Sequence, residues 1–231
     1  MPEQAEIKVL SSIATREAYL ELVPQFEAAS GHKVTTTWAG TTDIMKRMAA
    51  GETYDLVMIS SNELDELIQQ GKIVAGSRVD LAKSGIGVAV RAGAPRPDIS
   101  SGAALKAALL AAKTVGYTSG PSGVYMAELI ERMGIADAVK GKHRGVPSGG
   151  TIGTIVASGD AEIGFQQVSE LVHIKGIDYI GPLPPDVQKV TVFSSGIQAG
   201  GQNPQAAKAL VQFLTAPAAH PAYKAAGLEL P

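Results

Sequence analysis

The sequence predicts an α/β fold in two lobes, each a mixed sheet flanked by helices, and three observations lead there. Short stretches rich in β-branched residues alternate with stretches of helical spacing along most of the 231 residues. Several of the helical stretches close on a glycine, and four strand-like stretches run into a loop of Ser, Thr, Gly or Pro before the next helix pattern begins. Such alternation implies parallel strands joined by right-handed crossovers.

Taken in order, residues 7–10, 33–38 and 55–59 read as strands. Between them, Tyr19, Leu22, Val23 and Phe26 fall at i, i+3, i+4 and i+7, one apolar helix face, with Pro24 predicting a kink. Ile44, Met45 and Met48 repeat the pattern before Gly51, and Leu64, Leu67 and Ile68 form a third face stopped by Gly71. The pattern then restarts. Residues 85–90 read as a strand, 103–112 as an Ala-rich helix, 114–117 as a strand, and 123–133 as a helix closed by Gly134. A short helix after Gly150 and strands at 162–167 and 178–180 follow. Residues 189–200 are β-branched early on and lead into two helices, 204–215 and 217–226. A second unit embedded in the first gives lobe I over 1–83 and 195–231 and lobe II over 84–194, joined by a two-crossing hinge near 81–85 and 190–195.

Composition narrows the function. A net charge of −2, from 20 Lys+Arg against 22 Asp+Glu, provides no basic field for a nucleic-acid backbone, so nucleic acid is not an expected partner. Cysteine is absent, which removes thiol chemistry, Cys-based metal sites and disulfides together. His32, His143, His173 and His220 share no zinc-site spacing, and no metal is expected. No Gly-x-Ser-x-Gly elbow is present, and no spacing selects a carboxylate dyad, so catalytic residues and cofactors are both expected to be none. Gly149-Gly150-Thr151-Ile152-Gly153 lacks the spacing of a dinucleotide loop and the Lys of a P-loop. No run reaches the ~20 apolar residues of a membrane span. Residues 1–6 lack the features of a secretory signal, consistent with either a cytoplasmic protein or a mature exported form.

The four strand-to-helix junctions are Val9 to Thr15, Trp38 to Thr42, Tyr117 to Gly123 and Val146 to Thr151. A helix start is an anion site, because its first amides lack intrahelical partners and the macrodipole places about half a positive charge there. Ser11, Ser12 and Thr15, or Thr41 and Thr42, can equally be ordinary helix caps. Arg16 follows the first loop directly and is the best-placed arginine for a bidentate carboxylate clamp, ahead of Arg91 and Arg144. Trp38, the single Trp, adjoins the second loop.

Ile7-Lys8-Val9-Leu10 with its polar loop, Trp38-Ala39-Gly40-Thr41-Thr42, the run from Ala50-Gly51-Glu52-Thr53-Tyr54-Asp55 to Ser60, and Phe213-Leu214-Thr215-Ala216-Pro217 followed by Tyr223 and Ala226-Gly227-Leu228 resemble the type II periplasmic solute-binding proteins. The nearest branch is the molybdate/tungstate-binding proteins of ABC importers. The resemblance implies two lobes closing on a ligand at a hinge, a periplasmic mature form, a monomer, delivery to a membrane permease, and no chemistry on the ligand. It places the family's first serine at Ala14, beside Ser11, Ser12 and Thr15. Its second hydroxyl falls at Thr41 after Gly40, a small residue at Ser122, the amide position at Gly149 or Gly150, and its tyrosine at Gln167. Two side-chain ligands have thus changed type, and with Gln166 also present the lining suits a small organic acid at least as well as a metal oxyanion. The expectation is a solute-binding protein for a small carboxylate. The alternatives are a molybdate- or tungstate-like oxyanion receptor and a ligand-sensing regulatory domain. Regulators of that kind carry a helix-turn-helix before the first strand, and only six residues precede Ile7. An enzyme of the porphobilinogen deaminase type would need a cysteine.

Overall fold

The computed structural model describes residues 4–147 and 149–231, so Ser148 of the fourth junction and residues 1–3 lie outside the described residues. The chain runs β1 (Glu6–Ser11), α1 (Arg16–Ser30), β2 (Lys33–Trp38), α2 (Thr41–Ala49), β3 (Leu56–Ser60), α3 (Ser61–Gln69) and β4 (Val79–Arg91). It continues with α4 (Gly102–Ala111), β5 (Val115–Tyr117), α5 (Pro121–Arg132), α6 (Ala136–Lys140), β6 (His143–Arg144) and α7 (Ile152–Ser158). The remainder is β7 (Ile163–Gln167), α8 (Val168–Leu171), β8 (Ile177–Pro182), β9 (Val190–Ile197), α9 (Pro204–Leu214) and α10 (His220–Ala225). Two compact units result: the chain up to Lys83 together with Val192–Pro231, and Ser84–Thr191. The chain passes from one to the other inside β4 and returns inside β9.

In the first unit β1 pairs in parallel with β2 and with β3, and β9 joins β3 antiparallel, giving the order β2-β1-β3-β9. Side chains alternate across a strand. Ile7 and Val9 therefore face a core containing Tyr19, Leu22 and Phe26 of α1, Leu210 and Leu214 of α9, and Tyr223 of α10. Leu10, Val57 and Ile59 face the opposite way, onto Ile44 and Met48 of α2 and Leu64 and Leu67 of α3. α1 continues as one helix through Pro24. Pro24 and Leu20 are both exposed, so the Leu20 carbonyl that loses its donor has water within reach. Buried Asp55 takes the backbone amides of Lys8 (2.8 Å) and Asn203 (2.6 Å), tying β1 to the start of α9.

The second unit has the order β8-β4-β7-β5-β6, with β4 antiparallel to its two neighbours and β5, β6 and β7 mutually parallel. Val88, Phe165, Leu105, Met126 and Leu129 centre its core. Ile152, Val156 and Ala161 form a separate small cluster beneath α7. A Cβ at Gly164 would lie 2.5 Å from Val156 and 2.6 Å from Ile152, so only glycine lets α7 approach β7 this closely. β6, α6 and α8 are two to five residues long, too short to show a period in the sequence.

Candidate functional site

Each unit gathers donors at the carboxyl edge of its parallel strands, where ligands of open α/β sheets bind. In the first unit, Ser11 pairs with Trp38 of β2 and Met58 of β3, so β1 and β2 end level and β3 runs two residues further. Ser12 N–H donates to the Met58 carbonyl (2.8 Å) and Ala39 N–H to the Ser11 carbonyl (3.0 Å), which pins both loops to the sheet.

Three helix starts lie at this edge, and they differ. At α3 the Ser60 hydroxyl donates to Glu63 (2.5 Å), so that start already carries its own carboxylate. The turn after β1 and the start of α2 have no side-chain cap, although Asp43 sits in the first turn of α2. Thr15 is buried, and its Oγ1 has no hydrogen-bond partner. An unmet buried hydroxyl costs about 1–3 kcal/mol, so its persistence points to a partner that arrives from outside. Ser11, by contrast, donates to the Ser12 carbonyl (3.0 Å) and is wholly buried. Ala14, also buried, offers no polar side chain. Gly40 is the residue before α2 and Thr41 its first residue, partly exposed.

Arg16 opens α1 with its guanidinium carbon 5.9 Å from the Trp38 ring centroid. Trp38 is held in turn edge-on by Tyr19, with centroids 5.2 Å apart. Stacking restrains the guanidinium without neutralising it, and among the described residues no carboxylate forms an ion pair with Arg16. Arg91 lies elsewhere: β4 is antiparallel to β7, which puts Arg91 beyond the amino end of β7. Arg144 ends β6 and donates to the His143 carbonyl (2.9 Å).

In the second unit, α5 starts at Pro121 without a side-chain cap and buries Ser122. A Cβ at Gly123 would fall 1.6 Å from the Thr118 carbonyl oxygen, so glycine is required for this helix start to fold back on the strand end. The amide of Gly150 donates to the Pro147 carbonyl (2.8 Å) within a turn, and Gly149 is exposed at φ 80°, so α7 begins only at Ile152. Its first N–H donates to Gln166 Oε1 (2.7 Å). Thr151, just before it, has a buried Oγ1 without a partner.

Gln166 and Gln167 are both buried at the end of β7 and do different work. The Gln167 amide satisfies its surroundings with nitrogen donating to the Ser84 (3.0 Å) and Gly85 (3.2 Å) carbonyls and oxygen accepting from Thr191 Oγ1 (3.2 Å). It thereby binds the two chain crossings together. The Gln166 amide nitrogen donates to Glu170 of α8. Burial raises the Glu170 carboxyl from 4.5 to about 7, partly offset by that hydrogen bond. Ser169 beside it is buried with an unpartnered Oγ. Sequence reasoning missed Glu170, whose only signal is an acid three residues beyond the strand end. Among the described residues no cluster of three or more metal-ligating side chains occurs, and no helix is long and apolar enough to cross a membrane.

Residues 7–229 match the family described as "Bacterial extracellular solute-binding protein", and the chain belongs to it. The chain is 38% identical over 229 residues to a protein named aconitate isomerase from Pseudomonas sp., covering 96% of this chain and 87% of that one. It is 27% identical over 237 residues to the molybdate-binding protein ModA of Azotobacter vinelandii, covering 99% and 91%. The solved periplasmic molybdate-binding protein of Azotobacter vinelandii superposes with a TM-score of 0.81 at 19% identity, over 97% of this chain and 99% of that one. The fold is the type II periplasmic binding fold expected from the sequence. Family membership sets an extracellular solute-binding class. It does not by itself decide between holding a ligand and transforming it, because one relative is named for an enzyme.

Proposed function

We propose that the chain binds a small polycarboxylate of the aconitate type, for which each unit offers its own set of donors. The observation that carries this is the 38% identity to a protein named aconitate isomerase over 96% of the chain, against 27% for a molybdate-binding relative. The donor chemistry supports it. Stacked Arg16 offers a guanidinium fork for one carboxylate, and Ser12, Thr15 and Thr41 add hydroxyls nearby. Ser122 and the uncapped start of α5 supply neutral donors for another carboxylate. The mature protein acts outside the cytoplasm as a monomer and presents its ligand to an importer's permease.

A second reading, in which bound aconitate is isomerised, is favoured by Glu170, a half-buried carboxyl group poised near neutrality. Binding itself is tested by thermal shift with cis- and trans-aconitate, citrate, succinate, sulfate and molybdate, because a ligand that binds only the folded chain raises the midpoint. The aconitates should raise it most, and Thr41→Val in one unit and Ser122→Ala in the other should each reduce the shift. A response to molybdate alone would replace this reading with the oxyanion one.

A further inference from the structure

We propose that Glu170 is the acid–base residue of an isomerase activity in this chain, taking a proton from one carbon of a bound unsaturated tricarboxylate and returning it to another. This rests on the aconitate-binding reading above. Three features single out Glu170.

The first is placement. α8 follows β7 without a gap, so Glu170 stands at the same strand end as Gln166, whose amide is engaged on both sides, by Ile152 N–H and by the Glu170 carboxylate. The second is the absence of a structural partner. Buried Asp55 is held by two backbone amides, whereas the one bond recorded for Glu170 comes from a neutral side chain, and among the described residues it joins no ion pair. The third is the unmet polarity beside it. Ser169 Oγ and Thr151 Oγ1, on α8 and just before α7, are buried without partners.

The local electrostatics suit proton transfer. Neither β7 nor α7 carries a titratable side chain, and β4, which meets Val168 and Leu171 of α8 at Gly87, has Asp80, Lys83 and Arg91 several residues from that contact. Tyr179 of β8 lies near α8 across Gly87, and His173 and Lys175, which follow α8, are exposed. With burial raising its carboxyl to about 7, Glu170 is present in both forms at neutral pH, the condition under which one group serves as base and then acid.

The step balances without a co-reactant. Ionised Glu170 removes a proton from the methylene carbon next to a carboxylate. The electron pair of that C–H bond forms a double bond to the central carbon, and the π pair of the former double bond moves onto the vinylic carbon and its carboxylate. Protonated Glu170 then delivers its proton to the former vinylic carbon. The product has the same skeleton with its double bond moved, so the opposite geometric isomer is accessible.

The test follows trans-aconitate by proton NMR with the wild type and with Glu170→Gln, alongside thermal-shift binding of each. Gln at 170 keeps an oxygen to accept from Gln166 but cannot take up the proton. Expected are conversion to cis-aconitate by the wild type, loss of at least about a hundredfold in rate in E170Q, and a midpoint shift retained in E170Q. The wild-type rate should also rise with pH through neutrality, a limb that E170Q lacks, and Glu170→Asp should restore part of the rate. A rate in E170Q within a few-fold of the wild type would overturn the assignment. So would a wild type that binds aconitate without converting it, which would leave the binding reading standing. Failure of the wild type to bind any aconitate would remove that reading and this proposal together.

Discussion

In the first unit the strand ends carry hydroxyls and a stacked arginine, whereas in the second the end of β7 carries two amides and a carboxyl group. Both edges are built the same way, from parallel strands running into helix starts, so the contrast lies in side chains alone. The first edge presents Arg16 and uncapped amides, and suits holding a carboxylate. The second pairs neutral donors with a group that can gain or lose a proton, and suits proton transfer. α4 gives an internal control: Ser101 Oγ accepts from Ala104 N–H (3.1 Å) and Asp186 from Gly102 N–H (2.9 Å), so that helix start is satisfied by the chain itself.

Substitutions can break the comparison. The largest binding effect should come from Arg16→Gln, which removes the charged fork and keeps a polar, uncharged side chain. Aconitate affinity should fall by about 1.5–3 kcal/mol, the range for a charge-assisted hydrogen-bonded contact. Stability should move by less than about 0.5 kcal/mol, since the residue is exposed. Calorimetric titration and chemical denaturation read the two quantities, and unchanged affinity would take Arg16 out of the site.

Glu170 gives the next effect, on stability against pH. Its carboxyl is raised in the folded state, so between pH 4.5 and about 7 the folded chain holds more proton than the unfolded one. Stability therefore falls as pH rises through that window, by up to roughly 1–3 kcal/mol for this group. Glu170→Gln should be more stable than the wild type at pH 8 and nearly equal to it at pH 4, by urea denaturation at each pH. A parallel loss in both proteins would show that Glu170 is not the group responsible.

The smallest effects sharpen the contrast between edge and control. Thr15→Val removes an unmet buried hydroxyl at constant shape, so the ligand-free chain should gain about 1 kcal/mol while aconitate binding weakens. Ser101→Ala should cost about 1 kcal/mol of stability, as a lost cap does, and leave binding unchanged. If Thr15→Val also destabilised the chain, its hydroxyl would belong with the ordinary caps.

Much of the architecture was legible in the sequence because long periodic elements advertise themselves. Tyr19, Leu22 and Phe26 mark α1, and Lys33–Trp38 is a strand over the range read from its β-branched residues. The short elements were not legible, and α8 is the costly omission because it carries Glu170. Site residues were readable as types and not as roles. Ser11, Ser12 and Thr15 look alike in sequence, yet Ser11 bonds the backbone while Thr15 is left unmet. Adjacent Gln166 and Gln167 face opposite ways on a strand, one toward Glu170 and one toward the chain crossings. Gly149 and Gly150 precede α7 rather than opening it: the Gly150 amide donates to the Pro147 carbonyl, and the first N–H of α7, at Ile152, donates to Gln166.

The most direct measurement is a calorimetric titration of the wild-type chain with trans-aconitate and, separately, with molybdate. The account predicts saturable binding of aconitate with an affinity at least about a hundredfold above that for molybdate, a gap of about 2.7 kcal/mol. Tighter binding of molybdate, with no heat from aconitate, would contradict it.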